Sequence, residues 1–440
     1  MSWEDCLCRE CNDTDFGSNQ DLGFIGCIVW FRRSMLASPN NSRYKRILSS
    51  EYGEMLAKKP RIIVFLVVCL ILVYGMYVAR QFNGFDFARY DPGWMVSTVM
   101  SLVEDGDLDL RNQLHNDPAQ AADQTSLGEN GQWYPLHEFL MPVLTVPFYL
   151  AFGIYGCLIF NVLVSILLML TLFELCCRHV DFQSAFAAII LTAFTTLFLN
   201  YTYSYSLDVF STFLLVLAYW CVVRRRFLPA GFVWGMATLS RLSIAITLPG
   251  FIAYLLLVAD FSFKSNSKGR TPGIQTLSKK MRPAVSFLTG GFPLAICFLL
   301  SNWLMFGSPA TTSYDRWQQF VNGQSVVSSQ RGAFSCSFVE NLPKTLIDQK
   351  SGLLIGAPLI IVSVAFGLGP FWRKARNETI LLLITSGSLI VLFSKYCYAV
   401  PGGVGNRYLM PVVALFAIPL GLAIANCFHG RTGHSIQTDL

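Results

Sequence analysis

Carboxylates and arginines occur in this sequence where they could support acid–base chemistry beside a phosphate group. Asp86 and Asp91 lie in a long polar interval after the first strongly apolar stretch, and Arg241 and Arg407 interrupt or begin later apolar stretches. A carboxylate can take a proton from an attacking hydroxyl, and the planar guanidinium of arginine matches phosphate oxygens. Together, these residue types could transfer a group from a phosphate to a hydroxyl.

The composition indicates that most of this chain lies in a membrane. Of its 440 residues, 53% are hydrophobic and only 14% are charged, whereas soluble domains carry about 25% charged residues. Long apolar runs recur along the chain, as transmembrane helices require. We therefore predict an all-α, polytopic membrane protein. The net charge of +6 comes from basic loops and gives no reason to expect a nucleic acid as partner.

Positive charge orients the predicted spans. Three arginines at 224–226 end one span, and basic intervals at 264–282 and 373–376 follow others. Lys and Arg concentrate in cytoplasmic loops. All of these intervals lie on the cytoplasmic side of the membrane only if the apolar stretch 139–152 is a half-helix that enters the membrane without crossing it. We predict about ten transmembrane helices plus this half-helix, in the inner membrane of the cell, with both termini cytoplasmic.

This orientation divides the chain into three parts. Residues 1–60 are predicted to form a disordered cytoplasmic leader, residues 61–427 the membrane domain, and residues 428–440 a cytoplasmic tail. Since the chain continues only briefly after its last span, we expect no soluble carboxy-terminal domain. The outer loops are predicted at residues 80–138, 306–350 and 394–407.

The cysteines are scattered, and most lie in apolar spans, where they behave as small hydrophobic residues. Cys6, Cys8 and Cys11 of the leader are metal ligands by type, but neither a second pair nor a histidine cluster follows, so we assign no metal ion. Cys336 and Cys397 both fall in predicted outer loops, where a disulfide can form and persist. Sidedness alone does not bring them close, so free thiols are the alternative.

The predicted orientation gathers the unusual polar residues on the outer side. Asp91 precedes a proline, as a helix N-cap often does, so capping alone is an alternative to catalysis. Asp208 and Arg241 lie at or just inside membrane depth, where ionisable groups are costly and commonly functional. Their alternative role is simply to pair with each other. The further candidates are Asp86, Tyr134, His137, Glu138 and Arg407.

The order and spacing of several segments resemble the GT-C class of membrane glycosyltransferases, in particular the protein O-mannosyltransferase and lipid A aminoarabinose transferase group. In that group an aspartate opens a juxtamembrane helix that ends in Gly-Asp, as Asp91 and Gly106-Asp107 do here. The segment Gly131-Gln-Trp-Tyr-Pro and the proline-containing half-helix after it are also similar. GFVWGMATLSR, which ends at Arg241, resembles a helix of that group.

The resemblance implies an inverting glycosyltransferase that moves a hexose or pentose from a polyprenyl-phosphate-type lipid donor. The acceptor would lie on the outer, periplasmic face, and whether it is a glycan, a lipid or a protein is open. Participation of a divalent metal ion is also open, and the other expected partners are membrane lipids. The implied base is Asp91, with Asp86 as the second choice. Arg241 and Arg407 are the implied phosphate contacts, and Tyr134 and His137 are the implied donor contacts.

Two departures from the family pattern keep other functions open. This chain has Asp91-Pro92 where the family often has Asp-Glu, and His137-Glu138-Phe139 where it usually has lysine or Pro-Pro-Gly. One alternative is a transporter or flippase for a lipid-linked or anionic solute, although such proteins typically have inverted repeats and a site near the midplane. The other is an assembly subunit that keeps the fold without activity.

Overall fold

The computed structural model describes residues 65–67, 69–71, 74–76, 91–115, 124–264, 274–321, 324–397 and 405–429. The predicted leader, nearly all of the predicted tail, and Asp86 lie outside these ranges, as do the side chains of Asp91 and Pro92. The chain divides into two compact units, Met1–Phe65 and Leu66–Leu440. Of the first, only Phe65 is described, and the second contains all the elements that follow.

Helices make up most of the second unit. The described α-helices, in chain order, are α1 (Asp91–Glu104), α2 (Leu140–Phe152), α3 (Ile154–Cys177), α4 (Phe182–Phe194), α5 (Phe198–Thr202), α6 (Leu207–Val223), α7 (Phe227–Ser240), α8 (Leu248–Lys264), α9 (Ile274–Phe306), α10 (Phe338–Ile347), α11 (Leu353–Gly356), α12 (Leu359–Val362), α13 (Leu368–Lys374), α14 (Arg376–Ser394), α15 (Met410–Leu415) and α16 (Ala417–His429). One π-helical turn, Ser363–Gly367, joins α12 to α13. The 3-10 turns are Leu242–Thr247, Ser313–Asp315, Gln330–Phe334 and Arg407–Leu409.

Four helical segments are long and apolar enough to cross a membrane unaided, and the bent pair formed by the Arg407–Leu415 and Ala417–Phe428 segments, which meet at 43°, can count as a fifth. This number of segments rests on helix length and composition and applies to the described residues only. Shorter apolar helices occupy several of the other predicted crossings, so the total of ten stays a prediction. The four segments are Ile154–Cys177, Leu242–Ala259, Met281–Phe306 and Arg376–Ser394.

The predicted half-helix is present as α2. Its 13 residues correspond to a length of about 20 Å, which is short for a hydrocarbon core of about 30 Å. Gly153 separates α2 from α3 with a φ of 59°, a conformation that favours glycine. The chain therefore turns sharply between the half-helix and the first long span.

The predicted interruption at Arg241 is confirmed. Helix α7 ends at Ser240, and Arg241 adopts an extended backbone with φ −153° and ψ 106°. The 3-10 turn Leu242–Thr247 follows and leads into α8. A single straight helix would bury the guanidinium among apolar side chains, whereas the break presents it at the end of α7.

Helix α1 has the predicted bounds of the first-loop helix. It begins at Asp91 and ends at Glu104, and Gly106 follows with a left-handed φ of 73°. The Asp107 side chain accepts a hydrogen bond from the Ser101 hydroxyl at 2.9 Å. Gly106 and Asp107 therefore terminate this helix.

A small antiparallel sheet, which the sequence did not predict, joins the two long loops predicted to lie outside. Its strands are β1 (Thr125–Leu127), β2 (Trp133–Pro135), β3 (Trp317–Val321) and β4 (Gln324–Ser328). Their order is β2-β1-β3-β4. Ser126 pairs with Trp317 in the central register, and the Thr125 hydroxyl donates to the Gln318 side chain at 2.7 Å. The sheet brings the residues after β2 close to those before β3.

A disulfide links the second predicted outer loop to the last one. It joins Cys336 to Cys397, with a Cα–Cα distance of 5.3 Å. Two backbone hydrogen bonds hold the same junction, from Cys336 N to Lys395 O and from Cys397 N to Ala333 O. The disulfide left open by the sequence is therefore confirmed, and all three predicted outer loops contribute to connected structure.

Glycines allow α7 and α9 to touch along their backbones. A Cβ on Gly231 of α7 would overlap the carbonyl oxygen of Phe287, and one on Gly290 of α9 would overlap that of Leu228. Backbone atoms cannot move aside as the end of a flexible side chain can. The position of Arg241 at the end of α7 thus depends on this close helix pair.

We predict that Gly231→Ala lowers the stability of the protein by about 2–3 kcal/mol, because the added methyl group overpacks a backbone contact. The measurement is thermal unfolding in detergent. Gly387→Ala in α14 is the matched control, since no atom lies within 4 Å of its added Cβ. That control should melt at or slightly above the wild-type temperature because alanine is the better helix former. Equal melting temperatures for the two variants would contradict the close-packing argument.

Candidate functional site

A cleft opens where the predicted outer loops meet the ends of several helices. It encloses about 430 Å³. Its lining combines one carboxylate and two guanidiniums with a histidine and three tyrosines, contributed by widely separated segments of the chain. The lining residues are Met95, His137, Ser204, Tyr205, Ser206, Leu207, Asp208, Arg241, Tyr314, Arg407 and Tyr408.

Asp208 is presented by a shaped turn before α6. The Asn161 side chain of α3 donates to three carbonyls of that turn, those of Tyr201, Thr202 and Ser204, at 2.8–3.1 Å. Ser206 then caps α6, its hydroxyl accepting a hydrogen bond from the Asp208 backbone N–H. Asp208 falls in the first turn of the helix, where the macrodipole stabilises a negative charge.

One carboxylate lies between two guanidiniums. Arg241 Nη1 forms an ion pair with Asp208 Oδ1, and Arg407 Nε lies 3.6 Å from Asp208 Oδ2. The exposed fractions of these side chains are 6% for Asp208, 13% for Arg407 and 17% for Arg241. The pairing of Asp208 with Arg241, one of the two predicted alternatives, is therefore observed. Two positive charges and one negative charge still leave this group of three with an excess of one positive charge.

Arg407 reaches the cleft through a tight turn before α15. Gly405 has a φ of 78°, and its N–H donates to the carbonyl of Lys350 at 3.0 Å. A Cβ at Gly405 would lie 2.7 Å from Cα of Gly356, so the turn packs directly against α11. The Asn406 side chain accepts a hydrogen bond from the Tyr408 N–H and caps the 3-10 turn. These contacts orient Arg407 and Tyr408 together.

The sheet places His137 beside Tyr314. His137 Nδ1 lies 3.2 Å from the Tyr314 hydroxyl, and the tautomer of the imidazole determines which of them donates. Burial raises the pKa of Tyr314 well above its ordinary value, so the hydroxyl stays protonated. Both side chains line the cleft, which adds Tyr314 to the candidates. The only sequence signal for it was its place in the second long loop.

Glu138 ties the start of the half-helix to the break at Arg241. Its Oε1 accepts a hydrogen bond from the Leu242 N–H at 3.2 Å. Burial raises the pKa of the Glu138 carboxyl to about 7, against the opposing effects of its backbone hydrogen bonds and the Arg241 charge. Near neutral pH this carboxyl is therefore divided between its charged and neutral forms.

A second, mostly apolar cleft adjoins the first and shares His137 and Tyr314 with it. It encloses about 480 Å³ between the start of α2, the break after α7 and the carboxy-terminal end of α9. Its apolar lining consists of Pro135, Phe139, Leu140, Leu239, Leu242, Phe298, Met305 and Phe306. The polar and apolar clefts together suit a ligand with a charged head and a hydrocarbon chain.

Other predicted site residues lie apart from the cleft or outside the described ranges. Tyr134 belongs to β2, and its ring meets Phe306 edge-on at 5.9 Å without lining the polar cleft. Asp86 is not described, and of Asp91 only the backbone is, at the start of α1. Within the described ranges, no group of three or more His, Cys, Asp or Glu side chains could hold a metal ion.

We predict that Glu138→Gln becomes more stable relative to the wild type as pH rises. In the wild type the unfolded carboxyl ionises near 4.5 and the folded one near 7. Between these values the unfolded state binds fewer protons, so the free energy of unfolding falls as pH increases. Glutamine can keep the Leu242 hydrogen bond but does not titrate. The free energy of unfolding of Glu138→Gln should therefore rise by about 1–3 kcal/mol relative to that of the wild type as pH increases.

Melting curves of both proteins between pH 5 and pH 8 measure this difference. Glu340→Gln is the control, because it makes the same substitution at an exposed side chain of α10. A constant difference between Glu138→Gln and the wild type would show that Glu138 does not titrate in this window.

Asp208→Asn should destabilise the protein by about 3–5 kcal/mol, because it removes the negative charge between two poorly exposed guanidiniums. Thermal unfolding in detergent is again the measurement. Glu174→Gln is the matched control: Glu174 pairs with Arg224, but both side chains are well exposed, so the loss should stay below about 1 kcal/mol. Similar losses for the two variants would contradict the assigned weight of the Asp208 pair.

A family model covers the middle of the chain. Residues 139–268 match the model described as dolichyl-phosphate-mannose-protein mannosyltransferase. The match includes the half-helix, Asp208 and Arg241, and excludes Asp91 and Arg407. No curated protein matches the chain by sequence.

Solved structures with a similar fold share little sequence identity with this chain. ArnT from Cupriavidus metallidurans in the apo state superposes with a TM-score of 0.50 and 16% identity, over 83% of this chain and 60% of that chain. ArnT from the same organism bound to undecaprenyl phosphate superposes with a TM-score of 0.49 and 14% identity, over 82% of this chain and 59% of that chain. A third structure is the archaeal oligosaccharyltransferase AglB from Archaeoglobus fulgidus in complex with an inhibitory peptide and a dolichol-phosphate. It superposes with a TM-score of 0.47 and 12% identity, over 86% of this chain and 53% of that chain.

The chain thus spans about 60% of the length of the ArnT structures it resembles. The likeness extends over most of the present chain and concerns the arrangement of its helices. The chain is accordingly a multi-pass helical membrane protein with the GT-C fold, and its residues 139–268 resemble the mannosyltransferase family model.

Proposed function

We propose that this protein is a glycosyltransferase that moves a sugar from a polyprenyl-phosphate-linked donor to an acceptor on the outer side of the membrane. One observation carries the proposal: the cleft containing Arg241 and Arg407 opens beside an apolar cleft. Such a pair of neighbouring clefts suits a lipid phosphate. The family model, whose description names a dolichyl-phosphate-linked mannose, supports the same class of donor.

The arginines would bind the donor phosphate. Guanidiniums offer a fixed fork of N–H donors that matches phosphate oxygens, and the excess positive charge around Asp208 favours an anion. The same charges would stabilise the phosphate as it leaves. His137, within hydrogen-bond distance of Tyr314, borders both clefts and is placed to contact the donor at the junction of head and chain. Tyr134 is a weaker candidate for a donor contact.

Asp91 remains our candidate for the base. The acceptor hydroxyl would attack the anomeric carbon as the bond from that carbon to the phosphate oxygen breaks, and its proton would pass to the carboxylate. Met95, one helical turn after position 91, lines the polar cleft, which supports a role for the start of α1. Asp208 already pairs with Arg241, so it is poorly suited to accept a proton. Asp86 is the second choice.

Two observations support an outer position for the site. The Cys336–Cys397 disulfide belongs to loops around the cleft, and disulfides persist in oxidising compartments outside the cytosol. Arg224, Arg225 and Arg226 follow α6 at the end opposite Asp208, as expected of an inner, positively charged loop. We infer a site on the periplasmic side of the inner membrane, with both chain termini in the cytoplasm.

Two variants test the proposed chemistry in purified protein reconstituted in liposomes. Asp91→Asn should lower turnover by about 10²–10⁴-fold, the usual contribution of a positioned base, with little change in melting temperature. Arg241→Lys keeps the charge but loses the fork, so it should raise KM for the donor more than it lowers kcat. The measurement is release of polyprenyl phosphate from polyprenyl-phosphate-linked sugars in the presence of a membrane glycan extract.

Arg224→Lys is the control for the arginine variant. Arg224 follows α6 at its inner end and pairs with the exposed Glu174 of α3, so its replacement should not affect KM. If Asp91→Asn kept wild-type turnover, Asp86 would become the candidate base. If Asp91→Asn and Asp86→Asn were both fully active, the first loop would not supply the base. Binding of lipid phosphate without any transfer would favour the inactive assembly subunit.

A further inference from the structure

We propose that Tyr408 is a positioning residue for the two phosphate-binding arginines, and that the Cys336–Cys397 disulfide braces it through a cluster of aromatic rings. The proposal rests on the proposed function, because Arg241 and Arg407 are its phosphate contacts. The aromatic cluster comprises Phe334, Phe393, Tyr396 and Tyr408.

Both guanidiniums contact the ring of Tyr408. The Cζ atom of Arg241 lies 4.5 Å from the ring centroid, and that of Arg407 lies 5.3 Å from it. Two like charges repel each other, and more strongly in a poorly solvated cleft than in water. Asp208 offsets this repulsion through its carboxylate, and the Tyr408 ring offsets it through its negative face. Asp208 and the Tyr408 ring thus both favour the pairing of the arginines, Asp208 through a full charge and Tyr408 through a neutral ring.

The aromatic cluster fixes the plane of the Tyr408 ring. Tyr408 stacks on Phe393 at 5.0 Å with an interplanar angle of 26°, and it meets Tyr396 edge-on at 5.7 Å and 89°. Phe334 contacts the rings of both Phe393 and Tyr396, at 6.2 Å and 5.2 Å. The rings come from the second outer loop, the end of α14 and the turn before α15. A change in any one of these segments would be transmitted to the ring under the arginines.

The disulfide closes this cluster where its segments would otherwise separate. Cys336 lies two residues after Phe334, and Cys397 directly follows Tyr396. Phe334 is itself on an exposed segment, so its packing depends on the attachment of that segment to the end of α14. The disulfide provides a covalent attachment, and two backbone hydrogen bonds reinforce it. The affinity of the arginines for phosphate is therefore coupled to a covalent bond at the outer surface.

Binding of farnesyl phosphate in detergent tests this coupling. Tyr408→Leu should weaken binding about tenfold, which corresponds to the loss of two cation–π contacts. Tyr408→Phe keeps the ring face and should stay within about twofold of the wild type. Replacing Cys336 and Cys397 together by serine should weaken binding about threefold or more, measured well below the melting temperature. Cys297→Ser, which removes an exposed thiol of α9 outside the cluster, should change nothing.

A double-mutant cycle separates positioning from general loosening of the fold. If Tyr408 acts through the arginines, Tyr408→Leu should weaken binding much less in an Arg241→Ala background than in the wild type. An undiminished effect there would overturn the proposal, as would wild-type affinity in Tyr408→Leu. If Tyr408→Leu does not fold, Phe393→Leu takes its place, because Phe393 stacks on the Tyr408 ring. An undiminished effect of Phe393→Leu in the Arg241→Ala background, or wild-type affinity of Phe393→Leu, would then overturn the proposal.

The failure of this inference differs from that of the proposed function. If the wild-type protein does not bind farnesyl phosphate at all, the lipid-phosphate site itself is wrong and the positioning role is overturned with it. If the wild type binds, and Arg241→Ala weakens binding while the Tyr408 and cysteine variants bind normally, only the positioning role is wrong.

Discussion

The interaction of Asp208 with Arg241 and Arg407 constrains the rest of this structure. Ionised groups with so little exposure are costly unless they are paired, and each of the three needs a local departure from a regular helix. Asp208 follows a turn held by Asn161, Arg241 occupies the break after α7, and Arg407 sits in a turn that requires a left-handed glycine. The surrounding apolar helices support these irregular segments, because irregular backbone at membrane depth must be buried or line a cavity.

The predicted outer loops complete the site by connecting to one another. The four-stranded sheet places His137 beside Tyr314, and the disulfide attaches the aromatic cluster to the end of α14. Glu138 links the half-helix to the break at Arg241. Each connection joins residues far apart in sequence, so the polar cleft and its apolar neighbour depend on the loops as much as on the helices. A charged head and a hydrocarbon chain can then occupy adjoining spaces.

Several elements were predictable because their causes are local. Helix α6 has the bounds expected from its apolar run between Ser206 and three arginines, the half-helix ends at Gly153, and α7 ends where Arg241 interrupts the pattern. The strands were missed because they are only three to five residues long and carry no alternating pattern strong enough to distinguish them from loop. Tyr134 was a candidate because its segment resembles that of the GT-C group, yet the sheet register places its ring against Phe306.

By itself, the sequence determined the class of protein, the positions of several apolar helices and the break at Arg241, because hydrophobicity, charge and glycine act through neighbouring residues. It also identified Asp208, Arg241 and Arg407 as unusual, because a charge within an apolar stretch is visible without any structure. Only the tertiary structure decided that these three meet at one cleft, that Tyr314 and Tyr408 belong to it, and that Cys336 bonds to Cys397. Such contacts depend on strand register and helix packing across hundreds of residues, and no local pattern encodes that distance.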